Sequence, residues 1–130
     1  MMSGRLLLDT NAVISLFNGE GSIKPVLESA EKLFIATIVV GELYYGAFNS
    51  TKIEENTKKI DELIENVEVV ECNLETAKHY AEIKKKLRDN GTKINENDIW
   101  IAALAKQHNL TLLSRDNDFT NIEDINLKKW

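Results

Sequence analysis

Apolar residues along this chain fall into short runs separated by longer amphipathic stretches. The first run, RLLLD at Arg5–Asp9, is apolar on both faces, which predicts a strand in a parallel sheet covered by helices on both sides. Similar short strands are expected at LFIA (33–36), VEVVEC (67–72) and LTLLS (110–114), with NLKKW (126–130) as a candidate last one. Thr10 to Phe17 reads as a helix stopped by NGEG, and a second helix runs through IKPVLESAEK (23–32). TIVVGELYYGAF (37–48) is helical, with Thr37 as its expected N-cap. In residues 51–67, Ile53, Ile60, Leu63 and Ile64 share one side of an otherwise charged helix. Asn73 is placed to cap a long helix through Tyr80, Ile83 and Leu87 that ends at DNG. NENDIWIAALAKQHN (95–109) is the most buried helix by composition, opened by Asn95. Strands alternating with helical stretches predict an α/β fold with a largely parallel sheet.

That architecture gives the acidic residues a meaning that their number alone does not. Sites in open parallel sheets form at the carboxyl ends of the strands. Asp9 closes the first strand, and Asp116 and Asp118 follow the strand at 110–114 in SRDNDF. Glu42 lies on the helix after LFIA, and Asp98 in the first turn of the helix after Asn95. Glu42 and Asp98 stand among apolar neighbours, in VVGELYYGA and NDIWIAALA, where ionisation is costly without compensation. Carboxylates gathered at one edge repel one another, and a hard divalent cation, Mg²⁺ or Mn²⁺, removes that penalty. Gly46 and Ala102, each four residues after an acid, are expected to permit close packing beneath it.

Composition narrows the class. With 130 residues and neither repeat nor linker, one domain over residues 1–130 is expected. At 43% hydrophobic and 28% charged residues, disorder is not expected, and no apolar run is long enough for a bilayer. The opening stretch MMSGRLLLDTN lacks a leader's apolar centre, so a cytoplasmic protein is expected. The single cysteine, Cys72, excludes an internal disulfide and is expected to pack in the core. A net charge of −5 argues against a general nucleic-acid binder unless several acids converge on a cation.

The ordered set LLLDTN, VVGELYYGA, NENDIWIAALA and LLSRDNDF resembles the PIN-domain nucleases, and within them the VapC-like toxins of prokaryotic toxin–antitoxin pairs. The likeness spans nearly the whole chain. It implies a three-layer α/β/α sandwich around a mainly parallel sheet, and a metal-dependent endoribonuclease. Carried over by position, the family's acids correspond to Asp9, Glu42, Asp98 and Asp116, with Asp118 as a neighbour that shares the last role. Asp9 and Asp98 would be the principal Mg²⁺ ligands, with Mn²⁺ as a substitute, and Asp116 would complete the metal set. Ser114 takes a position where many relatives have Thr. The resemblance also implies a small antitoxin, bound with its C-terminal segment in a groove near the acids. Homodimers that assemble further with antitoxin are implied as well.

Hydrolysis of a phosphodiester requires an activated water, charge neutralisation and help for the leaving oxygen, all of which acid-held Mg²⁺ can supply. Glu42 is the expected group to orient or deprotonate the water. Asn11 and Asn97 flank two of the acids and are candidates for orienting them, although Asn11 has an equal reading as a backbone partner at the helix start. The basic stretch KKKLRDNGTK offers Lys84, Lys85, Lys86, Arg88 and Lys93 as a rim for RNA phosphates, or as a solvated helix face. Arg115 is closer to the centre, where it could touch phosphate or pair with an acid. Tyr44, Tyr45 and Phe48 are candidate anchors for a protein partner, with at least one of them expected in the core. Three rivals remain. An aspartate-dependent phosphohydrolase wants a second Asp where this chain has Asn11, a catalytically silent PIN-like binding module would not need all the acids, and a housekeeping PIN nuclease would have no antitoxin.

Overall fold

The computed structural model describes residues 4–130. The extreme start of the opening stretch, residues 1–3, lies outside them. Among the described residues there are five strands: β1 (Arg5–Leu8), β2 (Lys32–Ala36), β3 (Glu68–Val70), β4 (Thr111–Leu113) and β5 (Asn126–Lys128). They form one parallel sheet in the order β3-β2-β1-β4-β5. The helices are α1 (Thr10–Phe17), α2 (Lys24–Glu28), α3 (Thr37–Phe48), α4 (Ile53–Asn66), α5 (Leu74–Asp89) and α6 (Glu96–Gln107), and a short 3₁₀ turn, Asn117–Asn121, follows β4.

Strand order and handedness together define the layers. From β1 to β2 to β3 the chain steps one way across the sheet, and from β3 past β1 to β4 and β5 it steps the other way. Right-handed crossovers therefore lay α1–α4 on one face and α5–α6 on the opposite one. The direction reverses between β1 and β4, so the segments leaving those two strands part to opposite faces and leave a crevice at their carboxyl ends. Leu7 and Leu8 of β1, Ile35 of β2 and Leu112 and Leu113 of β4 have no exposed surface, as a sheet covered on both sides requires. α6 contributes Ile99, Ile101, Ala102, Ala103, Leu104 and Ala105 to the same core.

Local chemistry places the helix starts. Asn73 and Thr76 form a reciprocal capping box at α5, and Asn95 accepts the Asn97 N–H at 2.9 Å at α6. α3 differs from expectation: Ala36 is its N-cap, and the Thr37 hydroxyl instead donates to the Val70 carbonyl at 3.3 Å, tying α3 to the end of β3. The second helix is only Lys24–Glu28, and the third strand stops at Val70, opposite Ala36, where its one partner strand β2 ends. Cys72 consequently lies beyond the strand and is exposed, not packed in the core. Among the described residues, no helix is long and apolar enough to cross a membrane.

Candidate active site

The crevice at the switch between β1 and β4 receives Asp9 from one side and the Ser114–Asp118 segment from the other. Asp9 is almost completely buried, and its Oδ1 accepts the Ala12 N–H at 2.8 Å, so this carboxylate is the N-cap of α1. The cap does not exhaust its role. Burial raises the Asp9 pKa above the ordinary carboxylate value, and the charges of Asp116 and Glu42 raise it further; hydrogen bonds from Ser114 and Ala12 oppose them.

Asp98, in the first turn of α6, reports the same gathering of charge. Its pKa is pushed up to about 6, first by burial and then by repulsion from Asp116, Glu42, Asp9 and Asp118. One carboxylate oxygen from each of Asp98, Asp116 and Asp118 lies within 4.8 Å of the other two. Five acids from four segments therefore share one field. Hard, mutually repelling oxygens at this spacing are a donor set suited to a divalent cation.

Neighbouring hydroxyls hold these acids in place. Ser114 is fully buried; its hydroxyl donates to the Asp9 carboxylate and accepts the Asp116 N–H at 3.0 Å, joining the ends of β1 and β4. Asp116 in turn accepts the Asp118 N–H at 2.9 Å and caps the 3₁₀ turn. Glu42 is exposed, and the Thr10 hydroxyl donates to its Oε1 at 2.7 Å. Thr10 was not singled out in the sequence, although its position directly after Asp9 was the available signal.

Other candidates point elsewhere. Asn11 is exposed, and neither its side chain nor that of Asn97 hydrogen-bonds an acid among the described residues. Arg115 pairs with Glu20, whose pKa it lowers to about 2, and its guanidinium lies 4.3 Å over the Trp130 ring. Gly46 does not relieve crowding: a Cβ there would meet nothing within 4 Å, because the residue faces an open groove. The basic stretch divides, with Lys84 held by Glu96, Lys85 by Asp89 and Lys86 by Asp124. Tyr44 is half-buried and packs on the core, whereas Tyr45 and Phe48 are exposed.

The PIN domain family model matches residues 6–125. The chain belongs to the PIN-domain family. The PIN fold and the VapC kinship extend over almost its whole length. Ribonuclease VapC2 of Haemophilus influenzae is 31% identical over 129 residues, covering 97% of this chain and 98% of that protein. The tRNA(fMet)-specific endonuclease VapC of Salmonella typhimurium is 27% identical, covering 97% and 98%. Among solved structures, VapBC2 from Rickettsia felis, bound to a DNA fragment from its promoter, superposes with a TM-score of 0.90 at 28% identity, covering 97% of this chain and 98% of that one. VapBC-1 from nontypeable Haemophilus influenzae superposes with a TM-score of 0.88 at 30% identity, with the same coverage.

Proposed function

We propose that this PIN-domain protein is a metal-dependent endoribonuclease, the toxin of a toxin–antitoxin pair, acting as one unit over residues 1–130 on tRNA or ribosomal RNA in the cytoplasm. The observation that carries the reading is the coupling of Asp9, Glu42, Asp98, Asp116 and Asp118 at one edge of the sheet. Kinship with proteins named ribonuclease VapC and with solved VapBC assemblies supports the reaction and the partner.

In this reading Asp98, Asp116 and Asp118 would hold Mg²⁺, or Mn²⁺ in its place, with Asp9 contributing its charge to the same field. The cation, when bound, supplies a water of lowered pKa and neutralises phosphate charge. Glu42 keeps Oε1 engaged by Thr10, which leaves Oε2 to take the proton of the attacking water. Ser114 fixes the separation of Asp9 from Asp116, so the ligands stay ordered when substrate enters. Asp118 would join the cation ligands, and Arg115 ties the 114–118 segment to Glu20.

For the antitoxin, supporting geometry lies next to Glu42. A groove of about 230 Å³ runs between α1, α3 and α4, floored by Leu43, Ala47 and Ile60, with Thr10 and Glu42 at one end. An apolar segment laid along it would bring a basic side chain to the acids and silence them. Tyr45 and Phe48 on α3 remain for self-association into a homodimer.

The test is cleavage of a mixed tRNA and ribosomal RNA pool by antitoxin-free protein with Mg²⁺, Mn²⁺ or EDTA, beside Asp98→Asn. Discrete fragments that need both metal and Asp98 support the reading. Metal binding without cleavage of any RNA would favour the silent binding module.

A further inference from the structure

We propose that the groove between the end of α5 and the start of α6 is a track for the single-stranded RNA backbone, with Arg88 and Lys93 as its phosphate contacts. The proposal rests on the nuclease reading and assigns its substrate a path past the start of α6.

The groove encloses about 360 Å³, with Leu87, Ile94 and Ile99 forming an apolar floor and Lys84, Arg88 and Lys93 on its sides. Its single acid, Glu96, is already satisfied: Lys84 Nζ lies 3.0 Å from its Oε1, and the Tyr80 hydroxyl donates to the same oxygen. Two cations are left over. Among the described residues, the Arg88 and Lys93 side chains make no ion pair or hydrogen bond, and Asp89, the acid that Arg88 influences, is held by Lys85 at 2.7 Å. Elsewhere the chain carries an excess of acid, so this local positive surplus runs against the whole molecule's charge.

Backbone geometry brings the two cations together. Gly91 adopts a positive φ of 70°, and the Thr92 N–H reaches back to the Leu87 carbonyl at 2.8 Å. The chain thus reverses at the end of α5 and returns Lys93 to the neighbourhood of Arg88. Glu96 and Ile99, both lining the groove, share the first turn of α6 with Asp98, which leaves the helix from another side, so the track runs past the helix start that carries this acid.

A polymer that alternates flat bases with phosphates matches an apolar floor edged by cations. An acidic peptide matches the cations but does not supply the repeated flat faces that an apolar floor takes.

The experiment measures binding of a short fluorescent single-stranded RNA in EDTA, across a salt series, by wild type, the Arg88→Gln/Lys93→Gln double variant and a control Lys58→Gln on α4. Two lost phosphate contacts should reduce the salt slope by about 1.4, at about 0.7 per contact, and weaken binding about tenfold or more at low salt. The control should match wild type, and the double variant should keep its melting temperature and its response to Mg²⁺. Unchanged RNA affinity and slope in a folded double variant would overturn the track while leaving cleavage intact. Loss of affinity for an acidic peptide instead of RNA would also overturn it and mark a protein-docking surface. Wild-type protein that binds no RNA at any salt would overturn the track, while the nuclease reading stands or falls on the cleavage assay with Mg²⁺.

Discussion

The Thr10 hydroxyl donates to Glu42 Oε1 across 2.7 Å, linking the first residue of α1 to the second turn of α3. Glu42 is exposed and would otherwise sample several rotamers, so this bond chooses which way the carboxylate faces. Thr10→Val should lower turnover about tenfold, the lower end of what loss of an orienting partner costs a site, while Thr10→Ser restores it. The melting temperature should hardly move, because the bond is exposed. Steady-state cleavage beside a thermal melt separates the two effects, and a variant with full turnover would dismiss Thr10 as a positioning residue.

Asp98 predicts an unusual pH dependence for metal-free protein. Its folded pKa of about 6 lies above the ordinary carboxylate value of 3.8, so the folded state binds the extra proton between those values. Its contribution to stability is full below the unfolded pKa and is lost as pH rises through the folded one. Melting temperature should therefore fall from pH 4.5 to 7 in EDTA relative to Asp98→Asn, which lacks this titration. A difference between the two proteins that stays flat over that window would show that Asp98 does not feel the other acids.

Metal should reverse that penalty. A cation bound only by the folded state stabilises it by about 2.7 kcal/mol at a hundredfold excess over its dissociation constant. Mg²⁺ or Mn²⁺ at millimolar levels is expected to raise the melting temperature at pH 7.5, with a smaller rise in Asp116→Asn and Asp118→Asn. Equal shifts in all three proteins would place the cation elsewhere.

Ser114 carries a structural load as well as a positional one. Ser114→Ala leaves the buried Asp9 carboxylate and the Asp116 N–H without this partner, and should cost about 1–3 kcal/mol of stability in urea titration. The same change should raise the Asp9 pKa further, because the Ser114 bond favours the ionised form. A midpoint equal to wild type would mean that water replaces the hydroxyl without loss.

Much of the fold was legible because covered parallel strands must be apolar on both faces, as Leu6–Leu8 and Leu112–Leu113 are, and because α5 and α6 open on asparagine caps. The meeting of the acids followed from topology alone, since strand ends and helix starts share one edge of such a sheet. What topology does not give is the direction of a side chain. The Thr10–Glu42 bond joins positions 32 residues apart, and Arg115 and Glu20 are separated by 95. No local pattern in the sequence marks either pair. Cys72 and Gly46 were misplaced for a related reason: one depends on where an edge strand stops, the other on which helix face is left open.

Asp9 is both the cap of α1 and a member of the acidic group, and this double use bears on how such a gene would lose its activity. Alanine at position 9 removes cap and charge together, and a loosened α1 exposes the product to proteolysis. Asparagine caps a helix about as well as aspartate but brings no negative charge. A single G-to-A transition in an aspartate codon makes that exchange. One single-step mutational route from an active chain to a folded, harmless one, with its helix cap kept, therefore passes through Asp9→Asn.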